Sequence, residues 1–300
     1  MRSSTKKFRK NSQLHLMLVP GLILIAVFSY LPMAGLGIAF QDFNPIVGFS
    51  KFNWNGDNFE YMRALPDFMP AVKNTIILSV MKITAGIVVP LTAALLLNEV
   101  RSTLFKRSVQ TVIYMPHFFS WVILGGIVID VLSPSEGIVN AIIRSFGGDS
   151  IPFLSSNDWF RYVLVVTDQW KEFGFNTIVY LAALTSIDQG LYEAAVIDGA
   201  CRWRQTWNVT LPGIRPIVVL MGTLSLGNIL NGGFDQVFNL YNPMVYQTGD
   251  VLDTLVYRIG IEQTQYSVAA AIGLIKSVVS LGLIGLGYWL AFRFAKYRIF

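Results

Sequence analysis

Two sets of residues in this chain have types and spacings that can do chemical work. The first lies inside stretches that are otherwise apolar: Trp170, Lys171, Glu172 and Asn176 in one, and Asn228, Asn231, Phe234 and Asp235 in another. Polar groups among apolar residues at such lengths are expensive unless they face a cavity or a partner. Amides and carboxylates bond hydroxyls, and an indole or phenyl ring can lie against the apolar face of a sugar. Adjacent segments carrying both therefore suit a carbohydrate. The competing reading is internal neutralisation: Asp168 and Lys171 stand three apart, and Asn228 and Asn231 can bond neighbouring helices. The second set is Glu193, Ala194, Ala195, Asp198 and Gly199, followed by Trp203, Leu211 and Pro212. Glutamate and alanine favour helix, Asp188 can cap its start, glycine offers a left-handed stop, and Leu-Pro opens the next helix. This second set reads as a docking element, with an amphipathic segment resting on lipid headgroups as the alternative.

No catalytic constellation accompanies these residues. The chain has no glycine-rich phosphate loop ending in Lys-Ser/Thr, no H-E-x-x-H and no plausible Ser-His-Asp set. The lone Cys201 rules out an intramolecular disulfide and any cysteine-rich metal site. No enzyme activity, cofactor or metal is expected, and any ATP must be bound by another chain. His117 follows Pro116 and reads as a packing histidine or, alternatively, a proton relay. Lys82 and Lys276, deep in apolar stretches, are expected to pair with Asp235 or Glu172, with contact to an acidic sugar as the alternative.

The elements that must position these groups follow from composition. Hydrophobic residues make up 53% and charged residues 14% of the chain, against about 25% charged for an ordinary soluble domain. Mean hydropathy is +0.53. The expected fold is all-α and polytopic, with six transmembrane helices at roughly 14–40, 70–97, 109–132, 161–187, 217–240 and 266–292. Each has the ~20 residues needed to cross the hydrocarbon. Pro20 and Pro32 should bend the first, and Pro116 should kink the third. The formal charge of +5 is no nucleic-acid footprint, because the basic residues sit at the termini and in short loops. Of 23 Lys and Arg, five fall in the tail before residue 14, and three each in segments 98–108, 188–216 and 293–300. By the positive-inside bias these segments are cytosolic, both termini included. The domain plan is thus a tail 1–13, a membrane domain 14–292 with a cytosolic loop 188–216, and a tail 293–300.

The spacing in that loop carries more. Glu193-Ala194-Ala195, three residues, Gly199, nine residues, Val209, one residue, then Leu211-Pro212 resembles the EAA loop of ABC-importer permeases. The only departure is Val209 where isoleucine is usual. Leu191-Tyr192 and Asp198-Gly199-Ala200 are similar to the carbohydrate-importer branch. The run Phe234-Asp235-Gln236-Val237-Phe238-Asn239-Leu240-Tyr241-Asn242-Pro243 resembles complex-oligosaccharide permeases. The resemblance implies a permease subunit that couples to a cytosolic ATPase dimer through Glu193 to Pro212. It implies pairing with a second, non-identical permease and an extracytoplasmic solute-binding protein, and a carbohydrate substrate. An ion-coupled secondary transporter using Glu172, Asp235, His117 and the buried lysines is the alternative.

Overall fold

An apolar run that finds no water must close its backbone hydrogen bonds internally, and so becomes helix. The computed structural model describes residues 12–46, 48, 54–227 and 229–295, and among them are helices and one isolated bridge, Asn44 to Gly48. Asn228, Lys296, Arg298 and the basic residues of the expected N-terminal tail lie outside the described residues. The chain forms two compact units. One takes residues up to Ala64 together with Val256–Ile275, and the other takes Leu65–Leu255 and the residues from Lys276.

In the first unit, helix α1 (Ser12–Ile25) contains Pro20 and runs on as a π turn, Ala26–Tyr30, and a 3₁₀ stretch, Leu31–Phe40. Pro32 opens the 3₁₀ stretch. Its ring and missing N–H forbid the ordinary α register, and the wider π turn before it absorbs the mismatch. Helix α2 (Asp57–Ala64) is pinned by the Asn58 amide, which donates to the carbonyls of Ala39 at 3.2 Å and Gln41 at 3.1 Å. The Phe43 N–H donates to Ser267 Oγ at 2.9 Å.

The second unit is organised on α3 (Phe68–Glu99) and α7 (Asn157–Thr185), whose mutual contact is the most extensive in the molecule. Around them stand α4 (Thr103–Tyr114), α5 (Trp121–Leu132), α6 (Ile138–Ser145), α8 (Gln189–Ile197), α9 (Leu211–Gly227) and α10 (Phe234–Leu240). Helix α11 (Tyr266–Ala295) is the last. One buried apolar cluster joins Leu78, Val128, Phe160, Leu164, Val237 and Val251, and a second joins Ala94, Tyr180, Ala183, Leu184 and Ile214. Between these apolar layers sits the polar layer described below.

Helices lie over four of the six expected segments, and the other two depart in substance. The third is not kinked but broken: Thr103–Phe118 and Trp121–Leu132 meet at 105°. Pro116 ends the first half, Phe119 is extended, and the Ser120 hydroxyl caps the second by accepting from the Ile123 N–H. The fifth does not run from 217 to 240. Its helical run is Arg202–Gly227, and α10 starts afresh after Gly233, whose φ of +82° no continuing helix tolerates. The expected loop 188–216 therefore ends inside a helix. Leu211 and Pro212 follow a π turn, Thr206–Thr210, whose wider register leaves room for the proline ring. Among the described residues, four helices are long and apolar enough to cross a membrane, five if the broken pair is one span. Helix α7 has 29 residues, ample for a crossing, but holds Asp168, Lys171 and Glu172.

Helix α4 reaches α7 only because of Gly174. A Cβ there would stand 2.0 Å from the carbonyl oxygen of Ile113, a backbone atom. The Gly174→Ala variant is expected to lose at least the ~1–3 kcal/mol of ordinary overpacking, since no side chain can yield. Gly126→Ala, which meets nothing within 4 Å, should be neutral. Yield of monodisperse protein after detergent extraction checks both.

Candidate functional site

The polar layer has two nodes, each built around a lysine. An ammonium carries three protons, and Lys82 on α3 directs them to Asp168 Oδ1 at 3.2 Å, Gln236 Oε1 at 2.5 Å and the Gly232 carbonyl at 3.3 Å. The Gln236 amide donates in turn to the Leu164 carbonyl and to Thr167 Oγ1, both at 2.7 Å. One buried cation thus ties α3, α7 and the break before α10. The expected partners, Asp235 and Glu172, are not the ones found. Lys276 likewise pairs with Asp253. Asp235 is exposed in the first turn of α10.

The second node holds the break in the third span. Breaking a helix leaves carbonyls without partners, and Lys171 Nζ donates to two of them, His117 at 2.7 Å and Phe119 at 3.0 Å. The same ammonium is 3.6 Å from Glu172 Oε1, and Glu172 Oε2 meets His117 Nδ1 at 2.8 Å. The His117 ring stacks on Phe175 at 4.2 Å. The structure therefore brings Lys171 and Glu172 together, and both are engaged with the protein. Asp168 neutralises Lys82 and not Lys171.

Aromatic rings dominate the outer face of α10. Phe234 stacks on Phe238 (centroids 5.2 Å, 20° between planes), Phe238 meets Tyr241 at 6.1 Å, and Tyr241 meets Tyr246 at 5.1 Å. The opposite face, Gln236, Val237 and Leu240, is buried. Phe238, Tyr241 and Tyr246 were not singled out from the sequence. The signal was present as aromatics at i, i+4 and i+7, readable once a helix is known to start at Phe234. Asn231 is exposed beside this helix, Asn176 is half-buried, and Trp170 turns elsewhere. Its indole lines a groove of about 420 Å³ with Val131, Phe153, Trp159, Tyr162 and Val166.

At the other end of α7, the docking motif is a helix with both ends capped. The Asp188 side chain accepts from the Gly190 N–H at 3.0 Å. Gly199 lies at φ +74°, with its N–H bonded to Val196 O at 3.0 Å and the Ala200 N–H bonded to Ala195 O at 2.9 Å. That pair of bonds closes a left-handed C-terminal cap. The chain then enters the helical run that starts at Arg202. Glu193, Ala194 and Asp198 are exposed and Ala195 is half-buried. Val196, Ile197 and Trp203 are 62%, 86% and 70% exposed. Trp203 and Trp207 pack edge to face at 5.8 Å. A cleft of about 1100 Å³ lies among Glu99, Leu184, Tyr192, Glu193, Val196 and Trp203. The motif is wired to the bundle. Tyr192 Oη bonds Thr210 Oγ1 at 2.9 Å, Leu211 packs on the Tyr180 cluster, and a Cβ on Gly213 would meet Ile187 at 3.1 Å. Pro212 is exposed.

Comparison with known proteins agrees with this architecture. Residues 86–296 match the family described as binding-protein-dependent transport system inner membrane component. The chain is 43% identical over 293 residues to Protein LplB of Bacillus subtilis, covering 97% of this chain and 92% of that protein. It is 41% identical to the polygalacturonan/rhamnogalacturonan transport system permease protein YteP of the same organism, covering 98% and 92%. Among solved structures, a bacterial ABC transporter that imports the acidic polysaccharide alginate superposes with a TM-score of 0.89 at 39% identity, over 96% of this chain and 98% of that one. The same kind of transporter in complex with an alginate pentasaccharide-bound periplasmic protein gives 0.90 at 38%, over 98% and 99%. With its family motif on a capped helix and its match running from α3 to the end of α11, this chain belongs to the binding-protein-dependent transport system inner membrane components, as a multi-pass permease of the ABC-importer class.

Proposed function

We propose that this permease forms half of an import pathway for an oligosaccharide, with the rings of α10 as its sugar-facing surface. The observation that carries the reading is the ladder Phe234, Phe238, Tyr241 and Tyr246, a run of π faces on which sugar rings can stack. Asp235 and Asn231, both exposed next to it, supply hydroxyl partners, and Asn228 and Asn176 are further candidates. Lys171 and Glu172 contribute less directly, by holding the broken third span. Trp170 faces an apolar groove and reads as a contact with lipid or with a neighbouring subunit. Relatives named for polygalacturonan/rhamnogalacturonan and lactose transport support the substrate class.

In this reading, Glu193, Ala194, Ala195, Asp198, Gly199, Trp203, Leu211 and Pro212 form the contact with a cytosolic ATPase dimer. The apolar tip Val196–Ile197 and the cleft beside Trp203 are shaped to receive it, and both termini lie on that side. A second permease, not identical to this one, completes the path, and an extracytoplasmic solute-binding protein delivers the sugar. Purification in mild detergent should recover an ATPase, a second permease and a sugar-binding protein. Uptake by the reconstituted complex is then measured for alginate pentasaccharide, an oligogalacturonide and lactose. Phe238→Ala is expected to raise the half-saturating concentration of the transported saccharide about tenfold, the factor that ~1.4 kcal/mol represents. An unchanged half-saturating concentration would remove the ladder from the site.

A further inference from the structure

We infer that Lys82 and Asp168 act as a positioning pair: they fix where the interrupted fifth helix resumes, and so set the aim of the ring ladder. The inference rests on the reading of α10 as the sugar surface. Lys82 carries it because of where its three protons go. One binds the carbonyl of Gly232, in the break itself, and one binds Gln236, the third residue of α10. The third meets Asp168 on α7. The chain on either side of Gly233 is therefore tied to α3 and, through Asp168, to α7.

The break is shaped to this cation. A Cβ on Gly233 would stand 2.7 Å from Lys82 Nζ, and one on Gly232 would stand 2.9 Å from Val251. Gly233 also needs its left-handed φ of +82° to turn the chain into α10. Both glycines are thus small where the backbone must approach its neighbours, and one of those neighbours is the ammonium. Gln236 is 1% exposed and spends its amide protons on Leu164 and Thr167, so it passes the position of Lys82 on to α7 a second time. On the opposite side of α10 the rings follow rigidly, because Phe234 and Phe238 flank Gln236 at two residues either way on a single two-turn helix.

A merely space-filling role makes a different prediction from a positioning one. Lys82→Met alone strands the Asp168 carboxylate, so misfolding of that variant decides nothing. The double variant Lys82→Met/Asp168→Asn removes both charges together and keeps similar volumes. It is built in the full importer complex, in a Cys201→Ser background, with spin labels at Asp235→Cys on α10 and Val166→Cys on α7. The parent complex is expected to give a single narrow label distance and the double variant a broadened or shifted one. Measured on the unlabelled complexes, which keep Asp235, the half-saturating concentration of the saccharide taken up by the parent, among alginate pentasaccharide, oligogalacturonide and lactose, is expected to rise about tenfold, with the maximal rate changed less than about twofold. Lys82→Arg, which keeps the charge, should recover most of this. An unchanged label distance overturns the positioning role, whatever Phe238→Ala does. A shifted distance with an unchanged half-saturating concentration, while Phe238→Ala raises it, overturns the link from position to recognition. If both variants leave that concentration unchanged although the distance shifts, the ladder is not the sugar surface. The inference then falls with that reading, and not for want of positioning.

Discussion

Replacing Lys171 by methionine is expected to unfold the bend between α4 and α5 and only secondarily to affect transport. The ammonium serves two carbonyls and one carboxylate. Two magnitudes bracket the cost. A hydrogen bond inside a membrane protein averages about 0.6 kcal/mol, whereas breaking a buried ion pair by removing one partner costs about 3–5 kcal/mol. Glu172 is 32% exposed, so water recovers part of the loss on that side. The carbonyls of His117 and Phe119 face the buried amine and recover less. The balance favours a loss near 3 kcal/mol, hence a fall of about 6 °C or more in the melting temperature of a unit this size. Thermal-shift measurement on the detergent-purified complex checks it. Lys171→Met/Glu172→Gln should recover part of the loss, because it no longer strands a carboxylate. A single variant that keeps the parental melting curve and raises only the half-saturating sugar concentration would instead make Lys171 a sugar ligand.

The sequence announced the docking helix almost to the residue because every signal there is local. Asp188 caps its own helix two residues on, and Gly199 ends it by its own backbone angle. The class of fold was equally legible, since long apolar runs have few alternatives to helix. What stayed hidden depended on distant partners. Lys82 finds Asp168 across 86 positions and Gln236 across 154, and no spacing rule reaches that far. The break at Gly232–Gly233 was local and legible: hydropathy falls after Gly227, and the Gly-Gly pair between Asn231 and Asp235 is a breaker signal, which reading 217–240 as one span overrode. The ring ladder followed from that error, because its periodicity shows only when α10 is read as starting after Gly233. Lys171 illustrates the remaining ambiguity of composition. A lysine in a span signals either a ligand or a structural cation, and only the carbonyls left open by the break after Phe118 tell the two apart.

The largest functional effect is expected at Gly199, with Gly199→Val inserting normally and losing about nine-tenths or more of its uptake. Space is not the reason, because a Cβ there meets nothing within 4 Å. The angle is. At φ +74° a β-branched residue is strained by about 1–2 kcal/mol. The strain is relieved most cheaply by opening the cap, which releases the bonds from Gly199 to Val196 and from Ala200 to Ala195. Freed of them, α8 frays and departs at another angle from the helical run Arg202–Gly227. The exposed Val196–Ile197 tip and Trp203 then no longer present one surface. The apolar clusters of the bundle lie outside this turn, so melting temperature should hold. Uptake should fall tenfold or more, the factor that ~1.4 kcal/mol represents when it falls on a docking equilibrium. Co-purification of the ATPase should fall with it. Asparagine, which tolerates the left-handed region, should restore both at the same position, and that contrast separates backbone angle from side-chain size. If the valine variant binds its ATPase and transports like the parent, the direction of α8 is set by the Tyr192–Thr210 bond and the packing of Leu211, and Gly199 is only a convenient end to the helix.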